Sequence, residues 1–327
     1  MNEVKTQQIA FFGTIKEKIS TQTLLAKEIA KLLGVSTSEA YNKIAGNSLL
    51  TLPQIHLLCK TYNLNFLISP NGSYSSTLVE FLPFYQQNID IDKYLFSINK
   101  FLCKINTAKD KKIMCAAEDI PILNLFKYPE LSAFKLYYWH RRKQINNPNA
   151  TVPDFTRKSI NEEDVKAAYE LYLLYKQIPG VEIWCGGSLA NTVNQIKSAA
   201  ESGVIKDKNL GKTIAKQLAS VLSDIENYAI NESKSEDASV PFEWYFCEDI
   251  GSVIYLAQLE KKQIAFIRFD TYNLLNTDSE ILCNEVSHWM NALIYDGTSF
   301  SGQGSKHRNI YLKEAYQTCD ELVAQFE

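Results

Sequence analysis

No stretch of this 327-residue chain holds the roughly 20 consecutive apolar residues that a membrane-crossing helix needs. Its first residues, MNEVKTQQIAFFG, carry Glu3 and a polar run. A secretory leader would have a basic start and a long apolar core there. A cytoplasmic protein with no membrane partner is therefore expected. Cysteine pairs are missing too. The seven cysteines, at 59, 103, 115, 185, 247, 283 and 319, are odd in number and never at CxxC spacing. Most fall in apolar runs such as LLCKTY, so free buried thiols in a reducing compartment are expected rather than a disulfide or zinc framework. Histidine is scarce, with four spread over positions 56, 140, 288 and 307. None stands at ligand spacing beside the paired carboxylates Glu118-Asp119, Glu162-Glu163-Asp164 and Glu248-Asp249. HExxH, GxSxG, HxKxxxxD, the P-loop pattern and a GxGxxG after a strand are all absent. No metal, no cofactor and no catalytic residue is expected, and no fixed-period repeat or low-complexity segment is found.

What is present reads as globular. Apolar residues make up 46% and charged residues 22%, ordinary for packed domains, and the length suits two or three of them. The run SPNGSYSS, with Pro70, Asn71 and Gly72, has linker chemistry. That gives a head over 1–69, a linker over 70–76 and a body over 77–327, with a further division near 146–158. Net charge is −3, yet residues 1–70 hold seven lysines against four glutamates, which is +3 and leaves −6 for the rest. A basic head on an acidic body fits polyanion contact confined to the head.

Within the head, Val4–Ile19 reads as a first helix with Ile9, Phe12, Ile15 and Ile19 at steps of three and four. Leu25, Ile29, Leu32 and Leu33 predict an amphipathic helix over Thr23–Leu33. Gly34 breaks it where a left-handed residue suits a sharp turn. Ser36 and Glu39 form a capping-box pattern that opens a short helix, Thr37–Ile44, with polar outward positions. Thr51 and Pro53 start a supporting helix whose inner side is Ile55, Leu58 and Cys59. Helix, glycine turn, short polar helix and support is the helix-turn-helix order, in which the second helix enters the major groove of double-stranded DNA. Thr37, Ser38 and Asn42 would reach base edges, Asn42 being suited to adenine. Lys27, Lys43, Ser48 and Thr51 would hold phosphates, and Tyr41 would lie half against the core and half against the DNA backbone. The blander counterpart is a small helical bundle that docks a protein.

The segments LAKEIAKLLGVSTSEAYNKIAG and LTLPQIHLLCKTYNLNF resemble a lambda-repressor-type (Cro/C1-like) helix-turn-helix, as found in regulator-like proteins of the Bacteroidetes. Further resemblance lies in DIPILNLFKYPELSAFKLYYW at 119–139, IPGVEIW at 178–184 and FSGQGSKHRN at 300–309. It implies a head of four or five helices and transcriptional regulation. Related sequences tend to carry arginines where this chain has Asn42, Lys43 and Ala45, which implies fewer phosphate or guanine contacts here.

The body alternates. Strands are predicted at Thr77–Phe84, Lys112–Ala117, Val181–Cys185, Phe242–Cys247, Val253–Leu259 and Ile264–Phe269, with a hairpin turn at Lys261-Lys262. Helices are predicted at Ile91–Ile105, Pro121–Phe126, Glu130–Gln144, from Ser159-Ile-Asn-Glu162 to about Gln177, Ser188–Ser202, Asn209–Ile230, Ser279–Ile294 and Lys306–Phe326. Asn146–Arg157 and residues 231–239 read as loops. An α/β or α+β body follows.

Two glycine turns in the body suit a small anionic ligand. In Trp184-Cys185-Gly186-Gly187-Ser188, free N–H groups at a helix start would face Gly186, Gly187 and Ser188. Cys185 there could act as a nucleophile only with a base, and His288 is the candidate; a plain strand-to-helix turn is the simpler reading. In Ser301-Gly302-Gln303-Gly304-Ser305-Lys306-His307-Arg308, the groups Ser301, Gly302, Ser305 and Arg308 would suit a phosphate. The expected protein is a sequence-specific DNA-binding regulator working as a homodimer, because one head with few cations binds weakly. Half-sites would lie about 34 Å apart. Glu130–Gln144 and Lys306–Phe326 are the candidate dimer faces. The alternative is an enzyme or effector body that uses the head as a tether.

Overall fold

The computed structural model describes residues 2–19, 25–62, 64, 77–83, 90–144, 154–269 and 273–327. The chain divides into two compact units, Met1–Leu78 and Val79–Glu327. The expected linker, 70–76, lies outside the described residues, as does Thr23.

The first unit is helical: α1 (Asn2–Lys18), α2 (Leu25–Leu33), α3 (Thr37–Ile44) and α4 (Leu52–Tyr62). Its core is Phe11, Phe12, Ile15, Ile29, Ala30, Ala40 and Leu58, which are the inward positions of each helical repeat.

The second unit is an α+β body. In chain order it runs α5 (Ile91–Thr107), β1 (Lys111–Ala117), α6 (Ile122–Leu125), α7 (Pro129–Gln144), α8 (Glu162–Lys176), β2 (Gly180–Trp184), α9 (Gly187–Glu201), α10 (Lys208–Asn231) and β3 (Phe242–Phe246). Then follow β4 (Val253–Leu259), β5 (Lys262–Arg268), β6 (Leu274–Thr277), α11 (Glu280–Asp296), β7 (Thr298–Ser299) and α12 (Lys306–Ala324). The seven strands form one sheet in the order β6-β5-β4-β1-β2-β3-β7. Only β1, β2 and β3 run parallel, joined by helical crossovers; the other pairs are antiparallel. Every residue of β2 is buried, as a central strand covered on both faces must be.

Period-two alternation sends Cys115, Ala117, Trp184, Phe242 and Trp244 to a large core shared with helices α5 to α10 and α12. Ala116, Val181, Ile183 and Leu256 point the other way, to Cys283, Val286 and Met290 of α11. α7 and α8, which flank the 146–158 stretch, contribute Phe134 and Leu171 to the same core.

Four expectations change. Of the strand expected at Thr77–Phe84, the described residues 77–83 make one bridge, Glu80 to Asn276, and Pro83 has no N–H for a ladder; Phe84 lies outside the described residues. The β4–β5 turn is Glu260-Lys261, with Glu260 at φ 55°, and Lys262 already pairs with Leu259. β6 and β7 escaped the sequence because they are four and two residues long and carry no alternating pattern. Finally, Leu131–Tyr137 of α7 offers no open dimer face, whereas α12 buries one side and keeps Asn309, Ile310, Lys313, Glu314 and Gln317 exposed on the other. Residues Leu131 to Tyr137 of α7 are all buried, Trp139 stacks on Tyr94 at 5.4 Å, and Leu312, Ala315, Cys319 and Leu322 of α12 are buried in the same core.

Phe326 packs directly over Gly211 of α10, where an added Cβ would fall 2.2 Å from its ring. Gly211→Ala gains up to about 1 kcal/mol of helix propensity, but displacing the ring costs roughly 2–3 kcal/mol. The melting temperature should therefore fall by a few degrees in a thermal melt. In a Phe326→Ala background the same substitution should become neutral or stabilising.

Candidate functional site

In the first unit the α2–α3 turn closes as its residues require. Gly34 sits at φ 65° and the Val35 N–H returns to the Ala30 carbonyl at 3.0 Å, a Schellman closure. Ser36 caps α3, its hydroxyl accepting the Glu39 N–H at 3.1 Å. Glu39 does not complete the reciprocal half of the box. Its carboxylate lies 3.7 Å from the Lys43 ammonium instead.

Thr37, Ser38, Tyr41 and Asn42 are exposed on one side of α3, and Lys27 and Thr51 are exposed nearby in the unit; Ser48 is half-buried. Lys43 departs from its expected role. It is 4% exposed and donates to the Leu49 carbonyl at 3.1 Å, so it pins the loop after α3 instead of reaching outward for a phosphate. That loop has a second clamp. Buried Gln8 of α1 donates to the carbonyls of Lys43 at 2.6 Å and Ser48 at 2.8 Å, and accepts the Leu50 N–H at 2.8 Å. Gly46, at φ 71°, admits α1: a Cβ there would meet Lys5 at 2.7 Å.

The glycine turns of the body are spent internally. Ser188 is fully buried, donating to the Ala117 carbonyl at 2.6 Å and accepting the Cys185 N–H at 2.8 Å. It lies inside α9, and Gly186 takes the cap position. Gly186 is exposed and Gly187 half-exposed. Cys185 is buried and His288 exposed. In the second turn Arg308, 2% exposed, donates to the carbonyls of Phe300 and Gly302, both at 2.6 Å. Ser301 accepts the Trp244 N–H at 2.8 Å, and Ser305 caps α12 by accepting the Arg308 N–H at 3.3 Å. Ser188, Ser301 and Arg308 are therefore engaged with backbone groups of the fold, which would otherwise lie buried and unpaired.

Two buried charge clusters were not foreseen. Glu182, on β2, is fully buried and accepts from Asn124 at 2.9 Å, Tyr175 at 2.7 Å and Trp184 at 2.9 Å. Buried Lys234 donates to the Ile178 carbonyl at 3.1 Å and rests 3.6 Å from the centre of the Tyr175 ring. Burial lowers its pKa to about 8, against the opposing pull of Glu182. The second cluster joins Asp119, Lys135 and Thr192. Lys135 donates to Thr192 at 3.0 Å and Gln195 at 2.8 Å, with Asp119 at 3.4 Å. A lone charge inside VEIW and another inside the aromatic run of α7 were the available signals, but neither named its partners.

Substituting Gln8 by Leu takes their side-chain partner from the partly buried Ser48 carbonyl and Leu50 N–H, while the Lys43 carbonyl keeps the Gly46 N–H at 3.0 Å. We expect the first unit to lose at least about 2 kcal/mol, seen as faster hydrogen exchange at the Leu50 amide. Lys234 supplies a pH test. Its folded pKa of about 8 lies below the unfolded value, so between those two values the unfolded chain binds more protons. Its contribution to stability then rises with pH across that window. Between pH 8 and 9.5 the wild type should gain about 2 kcal/mol relative to Lys234→Met in urea melts; an unchanged difference would refute the assignment. Among the described residues no helix is long and apolar enough to cross a membrane. No family model, curated protein or solved structure matches this chain, so its function is read from geometry and charge alone.

Proposed function

We propose that this chain is a sequence-specific DNA-binding regulator whose α3 reads the major groove. The observation that carries the reading is the outward face of α3, where Thr37, Ser38, Tyr41 and Asn42 are all exposed while Ala40 is fully buried beneath them. Hydroxyls and a carboxamide at that spacing can donate and accept at base edges. Support also comes from the excess of lysine over glutamate in residues 1–70, with Lys27, Lys31 and Lys60 exposed for phosphates. One such helix binds weakly, so the active form in this reading is a homodimer on two half-sites.

A second reading rests on a separate observation. Leu49, in the loop before α4, is 50% exposed and Leu52, its first residue, 81%, as on a head that docks a protein. The two separate in one experiment. Duplexes selected by the full chain from a randomised pool are titrated against the wild type, Asn42→Ala, Lys27→Ala and Lys43→Met. Asn42→Ala should cost about 1–3 kcal/mol and relax sequence preference, and Lys27→Ala should lower the salt slope by about 1. Lys43→Met should leave that slope unchanged and lower stability instead. Failure to enrich any sequence would sink the DNA reading.

A further inference from the structure

An apolar opening in the body lies between α5 and the sheet. It is a cavity of about 310 Å³ walled by Ile98, Phe101, Leu102, Ile113, Ala257 and Phe266. A smaller pocket of about 40 Å³ adjoins it; Tyr94, Ile122, Tyr255 and Leu274 line both. The smaller pocket holds Asp119, Lys135 and Arg268. The space therefore has a mainly apolar part, with the exposed Glu80 and Lys100 also along its lining, and a charged end at Asp119, Lys135 and Arg268.

The charges at that end are unequally matched. Asp119 accepts from the Ile120 N–H at 2.9 Å and from Thr192 at 2.8 Å, with Lys135 at 3.4 Å. Lys135 has three acceptors in Asp119, Thr192 and Gln195. These two neutralise each other within a complete network. Arg268 is held loosely: among the described residues its paired carboxylates are Glu118 at 3.4 Å and Asp119 at 3.9 Å. Charge-assisted N–H···O bonds are normally about 2.7–2.9 Å. Glu118 is also the most solvent-exposed member, with 42% of its side chain open against 22% for Arg268. A guanidinium fork with slack contacts suits a bidentate anion that displaces an exposed glutamate.

We propose that this cavity binds a small amphipathic carboxylate, its head paired with Arg268 and its apolar body lying along α5. At about 30 Å³ per water-sized group, the space takes a body of roughly ten such groups, the size of a medium-chain or aromatic acid. Binding here is independent of DNA contact by the first unit, so either reading can fail alone.

The test uses the full chain without DNA, with octanoate and 1-octanol as probes in calorimetric titration and thermal melts. Octanoate should bind saturably and raise the melting temperature, and octanol should bind at least fivefold more weakly. Arg268→Gln should weaken octanoate at least tenfold and leave octanol unchanged. Ser97→Trp should abolish binding of both. Ser97 lines the cavity and bonds only within its own helix, to the Tyr94 carbonyl at 2.7 Å, so the substitution leaves the fold intact even where Arg268→Gln does not. Equal affinity for acid and alcohol, binding that survives Ser97→Trp, or no binding of either probe would overturn the proposal.

Discussion

A carboxylate in the middle strand of a covered sheet has no water to turn to, and the body is built around meeting that demand. Glu182 takes donors from three elements at once: Asn124 on α6, Tyr175 on α8 and Trp184 on its own strand. Lys234, from the turn after α10, adds a buried cation over the same tyrosine. Leaving such a group unpaired costs several kcal/mol, so the network fixes register as well as packing. Sliding β2 by one residue would turn Glu182 toward α11 and strand its donors. Gly180 fits the same arrangement, because a Cβ there would come within 2.8 Å of the Lys234 ammonium.

Asp119 and Lys135 repeat the logic at the end of β1. With Thr192 and Gln195 they tie α7 and α9 to the sheet, and their mutual satisfaction leaves Arg268 as the loosely held charge beside an apolar cavity. Structure and proposed function are thus separated inside the body. Closed networks hold the elements, and the incomplete one faces open space. In the first unit the division is the same: Gln8 and Lys43 close the loop after α3, and the outer face of α3 is left unspent.

Three residues that chemistry marks as anion holders, Lys43, Ser188 and Arg308, prove to be backbone holders. Each sits beside a turn whose carbonyls or N–H groups have no ladder partner. A long or hydroxylic side chain nearby meets that need at 2.6–3.1 Å. Sequence shows that such a side chain stands near a glycine turn; whether it points in or out depends on what the neighbouring element leaves unsatisfied.

Much was legible before any coordinates. Helical periodicity placed α1, α3, α5, α10 and α12 to within a few residues, and the Ser36 cap and Gly34 turn appear where local backbone chemistry puts them. Those features depend on contacts within a few positions, which a linear pattern records. Strands of two or four residues, the burial of Leu131–Tyr137 of α7 on all sides, and the Glu182 and Asp119 clusters were not legible. They join residues as far apart as 73 positions, brought together only when the parallel strands stack. The amino-acid order alone settled which segments coil, where they stop and which end is basic. Only the packed chain decided which charges are spent on the fold and which remain for a ligand, because that depends on distances between side chains that no spacing along the chain encodes.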